Sequence, residues 1–127
     1  IVHRIDKDTS GLLVVAKNDR SLRFLAEQFK NKSLHRVYWA VTYGIFKNSS
    51  GTIRSYLKRH PTQRKRFASE KLAAESQPTG KLAITHYRVI KSHPSNLSLV
   101  HCQLETGRTH QIRVHLSEAG HPILSDP

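Results

Sequence analysis

The sequence predicts an α+β fold, a mixed but mainly antiparallel sheet with flanking helices. Three observations carry this expectation. Alternating apolar and polar residues recur over 37–42, 82–90 and 97–104, the period of half-buried strands. Turn-forming residues join the last two runs, His93-Pro94-Ser95-Asn96, as in a hairpin. Helical spacing of apolar residues is confined to two short stretches, so strands outnumber helices.

In chain order, Gly11 to Lys17 encloses the apolar run Leu12-Leu13-Val14-Val15-Ala16 and reads as a buried strand. Asn18-Asp19 punctuates, and Ser21 is the expected cap of a helix with Leu22, Leu25, Ala26 and Phe29 on one face and Asn31-Lys32 at its end. Val37, Trp39 and Val41 alternate with Tyr38, Ala40 and Thr42 in a strand closed by Gly44. Asn48-Ser49-Ser50-Gly51 reads as a turn, and Thr52 to Leu57 as a further strand. Residues 58–81 are polar and read as a loop or a weak helix. Leu82 to Ile90 and Leu97 to Leu104 form the hairpin. Thr109 is the expected cap of a helix through about Ala119, with Ile112 and Leu116 inward and Gly120 ending it.

Composition narrows the function classes. The 127 residues fit one domain with a modest core. Lys and Arg number 21 against 9 Asp and Glu, a net charge of +12, with a pI near 10.4 and a mean hydropathy of -0.52. Such a balance points to a polyanionic partner, most simply nucleic acid; the bland alternative is a solubilising surface. One cysteine, Cys102, excludes an internal disulfide and reads as an ordinary buried thiol in a reducing compartment. No apolar run approaches the roughly 18 residues of a membrane span and no secretory pattern opens the chain, so a cytoplasmic monomer away from membranes is expected. The chain opens on Ile1, lacks methionine and ends at Asp126-Pro127; it reads as a piece of a longer protein.

Two dense motifs carry the chemistry. His3-Arg4-Ile5-Asp6-Lys7-Asp8-Thr9-Ser10-Gly11-Leu12-Leu13 sets a carboxylate beside an arginine and against an apolar run. Positive neighbours keep such a carboxylate ionised, fit to act as nucleophile or base; a structural salt bridge is the competing reading. Thr106-Gly107-Arg108-Thr109-His110-Gln111-Ile112-Arg113-Val114-His115 turns through Gly107 into a helix whose N-terminus favours an anion. His110 and Arg113, three apart, are expected to share a face. Arg108 and His115 touch phosphate or serve structure. In 58–81, Arg59-His60-Pro61 and Arg64-Lys65-Arg66 make a basic cluster, either an RNA-contact finger or a solvated connector. Tyr38 and Trp39 follow basic residues, and alternation sends one to the core and the other outward.

The nine histidines lack ligand spacing, and Cys102 has no cysteine partner, so no metal is expected. Neither a phosphate-cradling loop nor a dinucleotide fingerprint is present. Asp6, Asp8 and Asp126 as magnesium ligands of a nuclease are a minor alternative.

As a set, the first motif resembles the catalytic-aspartate motif of pseudouridine synthases, nearest to the RluA-type branch that modifies structured RNA, chiefly ribosomal. Arg36-x-Tyr38-x-Ala40 through Gly44 resembles that family's tyrosine strand. Leu104 through Leu116, with Gly120-His121-Pro122-Ile123, resembles its arginine motif. Arg59-His60-Pro61 with Arg64-Lys65-Arg66-Phe67, then Gly80-Lys81, resembles members acting on large-subunit ribosomal RNA. The family usually carries Gly-Asp where this chain has Ser125-Asp126. The resemblance implies that residues 1–127 are part of a catalytic domain, without the family's flanking sheet segments and without a separate S4-like RNA-binding domain. It implies isomerisation of uridine to pseudouridine by base flipping, with no metal or other cofactor. Asp6 would be the nucleophile or base, Tyr38 would stack on the flipped uracil and Arg113 would pair with Asp6. Arg4 would fill the space the uridine leaves, and Arg59, Arg64, Lys65, Arg66, Arg108 and His110 would hold RNA. A non-catalytic RNA-binding module of the same fold is the main alternative.

Overall fold

The computed structural model describes residues 2–59, 67–69 and 79–126. The chain forms two compact units, Ile1–His35 and Arg36–Pro127, each taken by itself below.

In the first unit, α1 (Asp19–Lys30) is capped by Asn18, whose Oδ1 accepts the Ser21 N–H at 2.8 Å. The expected cap, Ser21, is instead the third residue of the helix, a position whose N–H needs an acceptor from the cap. Asn31 closes the helix. The expected strand over Gly11 to Lys17 does not form: the segment pairs with no strand among the described residues, and Leu12 is 95% exposed. A strand is made by its neighbour, and the apolar run alone cannot supply one.

The second unit is a five-stranded antiparallel sheet in the order β1-β5-β4-β2-β3. The strands are β1 (Arg36–Tyr43), β2 (Ser50–Arg59), β3 (Phe67–Ser69), β4 (Lys81–His93) and β5 (Leu97–Leu104), followed by α2 (Gln111–Glu118). β2 begins two residues earlier than the turn signal suggests. β3 pairs with the end of β2, Arg59 opposite Phe67, so the polar stretch, expected as a loop or weak helix, contains a strand. The β4–β5 hairpin turns at Asn96, in the left-handed region at φ 64°, which Asn tolerates. A register shift lies between Val89 and Lys91.

α2 packs on the sheet face formed by Tyr38, Ala40, Val100 and Cys102, where Leu116 is fully buried. Ile112 is partly buried against the same cluster, and Leu57, Ala83 and Val114 make a second one. A buried leucine of this kind contributes about 2 kcal/mol. Val37, Trp39 and Val41 point to the other face, where Trp39 is 64% exposed.

Thr109 does not cap α2. His110 occupies the cap position in the left-handed region, φ 55°, with no side-chain cap hydrogen bond. The side chain of Gln111 instead braces the segment that leads into the helix, its Oε1 accepting the Arg108 N–H at 3.0 Å. At the other end, His121 N–H donates to Leu116 O and Gly120 N–H to Ser117 O, with Gly120 at φ 88°. This is the Schellman closure that a residue without Cβ permits.

Candidate active-site residues and their supports

The Asp6 loop is held by its own backbone and by His3. Thr9 N–H donates to Asp6 O at 3.0 Å, closing a turn over Lys7-Asp8. Val14 N–H donates to His3 Nε2 at 2.9 Å; that nitrogen is therefore the acceptor, and Nδ1 carries the proton. The His3 ring stacks on Phe29 of α1, centroids 5.2 Å apart. Asp6 is half-buried, and Arg4, Lys7 and Asp8 are exposed.

Tyr38 stands in β1, half-buried on the core face. Arg113, on α2, is gripped by Asp126: Nε lies 2.9 and 3.1 Å from the two carboxylate oxygens, and Nη2 lies 2.9 Å from Oδ1. Asp126, cast in the nuclease alternative as a magnesium ligand, has its carboxylate in this fork. Among the described residues, no group of three or more His, Cys, Asp or Glu is placed to hold a metal. Asp6 and Arg4 belong to the first unit, and Tyr38, Arg113, Arg59, Arg108 and His110 to the second.

Phe67 brings together two residues that the sequence separates widely. The Arg59 guanidinium lies 5.4 Å over its ring and His110 meets it edge-on at 5.6 Å. His110, at the cap, and Arg113, in the helix, engage different neighbours, Phe67 and Asp126. Arg108 has a structural task, its Nε donating to Leu82 O at 2.8 Å. Arg64, Lys65 and Arg66 lie outside the described residues.

Gln111 is a support that sequence reasoning passed over, and His115, left open there between a phosphate contact and a structural role, takes the structural one. Gln111 Nε2 donates to Ile84 O at 3.0 Å and to Thr85 Oγ1 at 2.9 Å. Its Oε1 accepts from Thr106 Oγ1 at 2.7 Å as well as from Arg108 N–H, so all four bonding positions of the amide are used. His115 is fully buried between Thr85 Oγ1, 2.8 Å from Nδ1, and Ser55 Oγ, 2.9 Å from Nε2. Burial holds its pKa below the ordinary 6.5, with Glu118 opposing. The signal was present: Gln111, Val114 and His115 stand at i, i+3 and i+4, one helical stripe, so its polar members had to find partners inside.

Arg36 is a second omission. The Arg36 guanidinium lies against Gly107 so closely that a Cβ there would overlap its Nη1 and the arginine would have to shift. Burial holds the Arg36 pKa below the usual arginine range; Tyr38 opposes this and Arg108 adds to it.

The second unit is thus an antiparallel sheet with α2 packed on one face, in an α+β chain of net charge +12. The profile of the RNA pseudouridylate synthase family matches residues 1–118, and the chain belongs to that family. It is 50% identical over 127 residues to ribosomal large subunit pseudouridine synthase D of Zymomonas mobilis, covering 100% of this chain and 38% of that protein. It is 45% identical over 126 residues to the protein of the same name from Borreliella burgdorferi, covering 99% of this chain and 36% of that one. The solved structure of human RNA pseudouridylate synthase domain containing 1 superposes with a TM-score of 0.84 at 30% identity, over 98% of this chain and 52% of that one. The chain thus spans under two-fifths of the curated relatives named here. No helix among the described residues is long and apolar enough to cross a membrane.

Proposed function

We propose that the protein containing this chain isomerises uridine to pseudouridine in structured RNA, with large-subunit ribosomal RNA as the first candidate. Residues 1–127 would form part of its catalytic domain, in a cytoplasmic monomer. The observation that carries this reading is the family match over residues 1–118, which takes in Asp6, Tyr38 and Arg113 together. The names of the relatives favour ribosomal RNA, and the net charge of +12 suits a polyanion.

In this reading the uridine leaves its stack, because its glycosidic bond is out of reach inside a helix. Tyr38 stacks on the extruded base and Arg4 fills the space left behind. Asp6 acts as nucleophile or base while the C1′–N1 bond breaks, the uracil rotates and a C1′–C5 bond forms. The proton leaves C5, and N1 ends protonated, so substrate and product are isomers. Arg113 pairs with Asp6 and helps to position it. Arg59, Arg64, Lys65, Arg66, Arg108 and His110 contact RNA; for Arg108 only the guanidinium edge not engaged by Leu82 O is offered.

Tritium release from 5-tritiated uridine in ribosomal RNA tests the proposal on the full-length protein. Release by the wild type, abolished in Asp6→Asn with RNA binding retained, is the expected result. Undiminished release by Asp6→Asn overturns it, as does wild-type protein that binds the RNA and releases nothing.

A further inference from the structure

We propose that Asp126 is a positioning residue for the reaction: it holds the Arg113 guanidinium by one edge and so aims the other. The inference rests on the reading of Asp6 and Arg113 given above. An arginine side chain offers two edges for paired hydrogen bonds, one made by Nε and Nη2 and one made by Nη1 and Nη2. Asp126 takes the first, with Nε at 2.9 and 3.1 Å from its two oxygens and Nη2 at 2.9 Å. The end-on edge is thereby pointed by the carboxylate behind it, and that edge can meet a second carboxylate or a phosphate.

The carboxylate is built into place. Its side chain is only 17% exposed, and it ends a turn in which Asp126 N–H donates to Ile123 O at 3.1 Å. The turn is hooked to the outer edge of β1, where Tyr43 N–H donates to Pro122 O at 2.9 Å and Leu124 N–H to Val41 O at 2.8 Å. Thr42 and Ile123 form an antiparallel bridge there. Ser125 adopts φ 61° within it, a conformation disfavoured for a residue with a Cβ; the turn persists although serine stands where the geometry favours glycine. Asp126 therefore ties Arg113, on α2, to the strand that carries Tyr38. Two proposed catalytic side chains on separate elements then share one mechanical reference.

The test compares Asp126→Asn, Asp126→Glu and Asp6→Asn with wild type in the full-length protein, reading kcat, KM, RNA affinity and Tm. Positioning predicts that Asp126→Asn lowers kcat about tenfold or more, since small misplacements of a reacting constellation are costly. KM and RNA affinity stay within about threefold, because the lost effect is exerted in the transition state. Asp126→Glu keeps the ion pair in a shifted register and falls between. Wild-type kcat in Asp126→Asn, beside an inactive Asp6→Asn, overturns the positioning role and leaves the proposed function standing. A raised KM at unchanged kcat overturns it too. Should Asp126→Asn lose its folded structure, Asp126→Glu decides: reduced kcat at wild-type Tm supports the proposal, and wild-type kcat overturns it. Turnover by Asp6→Asn sinks the functional reading itself.

Discussion

Gln111→Leu is the perturbation whose cost can be worked most completely. The leucine keeps the approximate volume of glutamine and removes both ends of the amide. Four partners are affected, and they are affected unequally. Ile84 O still accepts Glu105 N–H at 3.2 Å. Thr85 Oγ1 still has His115 Nδ1 at 2.8 Å. Thr106 Oγ1 still accepts Ile84 N–H at 2.9 Å, but its own proton loses its acceptor. Arg108 N–H loses Gln111 Oε1 with nothing in the network to replace it. Two stranded donors, one rotatable, cost about 3 kcal/mol together. The added apolar burial of leucine returns roughly 1 kcal/mol, leaving a net loss of about 2 kcal/mol. With a urea m-value of about 1.5 kcal/mol per molar for a domain of this size, the unfolding midpoint should fall by roughly 1.3 M. Equilibrium unfolding followed by circular dichroism reads this directly. A midpoint within about 0.3 M of wild type at unchanged m would refute the claim that this amide anchors α2 to β4.

Three further outcomes follow from buried groups. Because burial depresses the His115 pKa below 6.5, the unfolded chain takes up the proton first. The stabilisation is complete above about pH 6.5 and is lost as pH falls from there toward the lower folded value, with a slope of up to about 1.4 kcal/mol per pH unit. Subtracting the stability curve of His115→Asn from that of wild type, between about pH 7.5 and 5, should reveal the slope; a flat difference contradicts it. Thr42 Oγ1 is buried without a hydrogen-bond partner among the described residues, so Thr42→Val should raise stability by about 1 kcal/mol in chemical denaturation; a loss would mean that the hydroxyl is satisfied. The Cys102 thiol, pushed up to about 11 by burial, should resist a thiol-specific disulfide reagent near pH 8 until the protein is unfolded, as few thiolates form there.

Much of this fold was legible because its information is local. The period-two runs in β1, β4 and β5 each bury one face, and the caps and closures of both helices lie within three residues of their signals. What failed was non-local. Gly11 to Lys17 has the composition of a strand, yet a strand exists only where another chain segment offers its backbone. β3 is three residues long, and its pairing with Leu57, Lys58 and Arg59 is decided by tertiary contact alone. At α2, Thr109 looked like the cap by residue type, but the left-handed turn at His110 places the cap one residue later, a backbone choice that residue type does not reveal. Of the candidate site, Asp6, Tyr38 and Arg113 were legible as motif residues. The partnership of Arg113 with Asp126 was not, because it depends on a turn hooked to β1 from the far side of the sequence. The exposed face of Trp39 and the inward face of Tyr38 were separable by alternation, though alternation alone could not say which was which.

The amide lock between α2 and the sheet also bears on the order of folding. A helix of 8 residues is well short of the roughly 12–15 needed for a helix to persist alone in water. α2 must therefore wait for Ile84 and Thr85 to be in place, and so for β4. Pairing β1 with β5 joins Arg36 to Leu104 across most of the second unit, a closure whose entropy must be met before its contacts reward it. The β4–β5 hairpin can form without that expense. In a chevron experiment, changes in the hairpin should then slow folding. Changes at Gln111 should leave the folding limb almost untouched and accelerate unfolding, so that the helix bearing the candidate arginine is the last element to arrive and the first to leave.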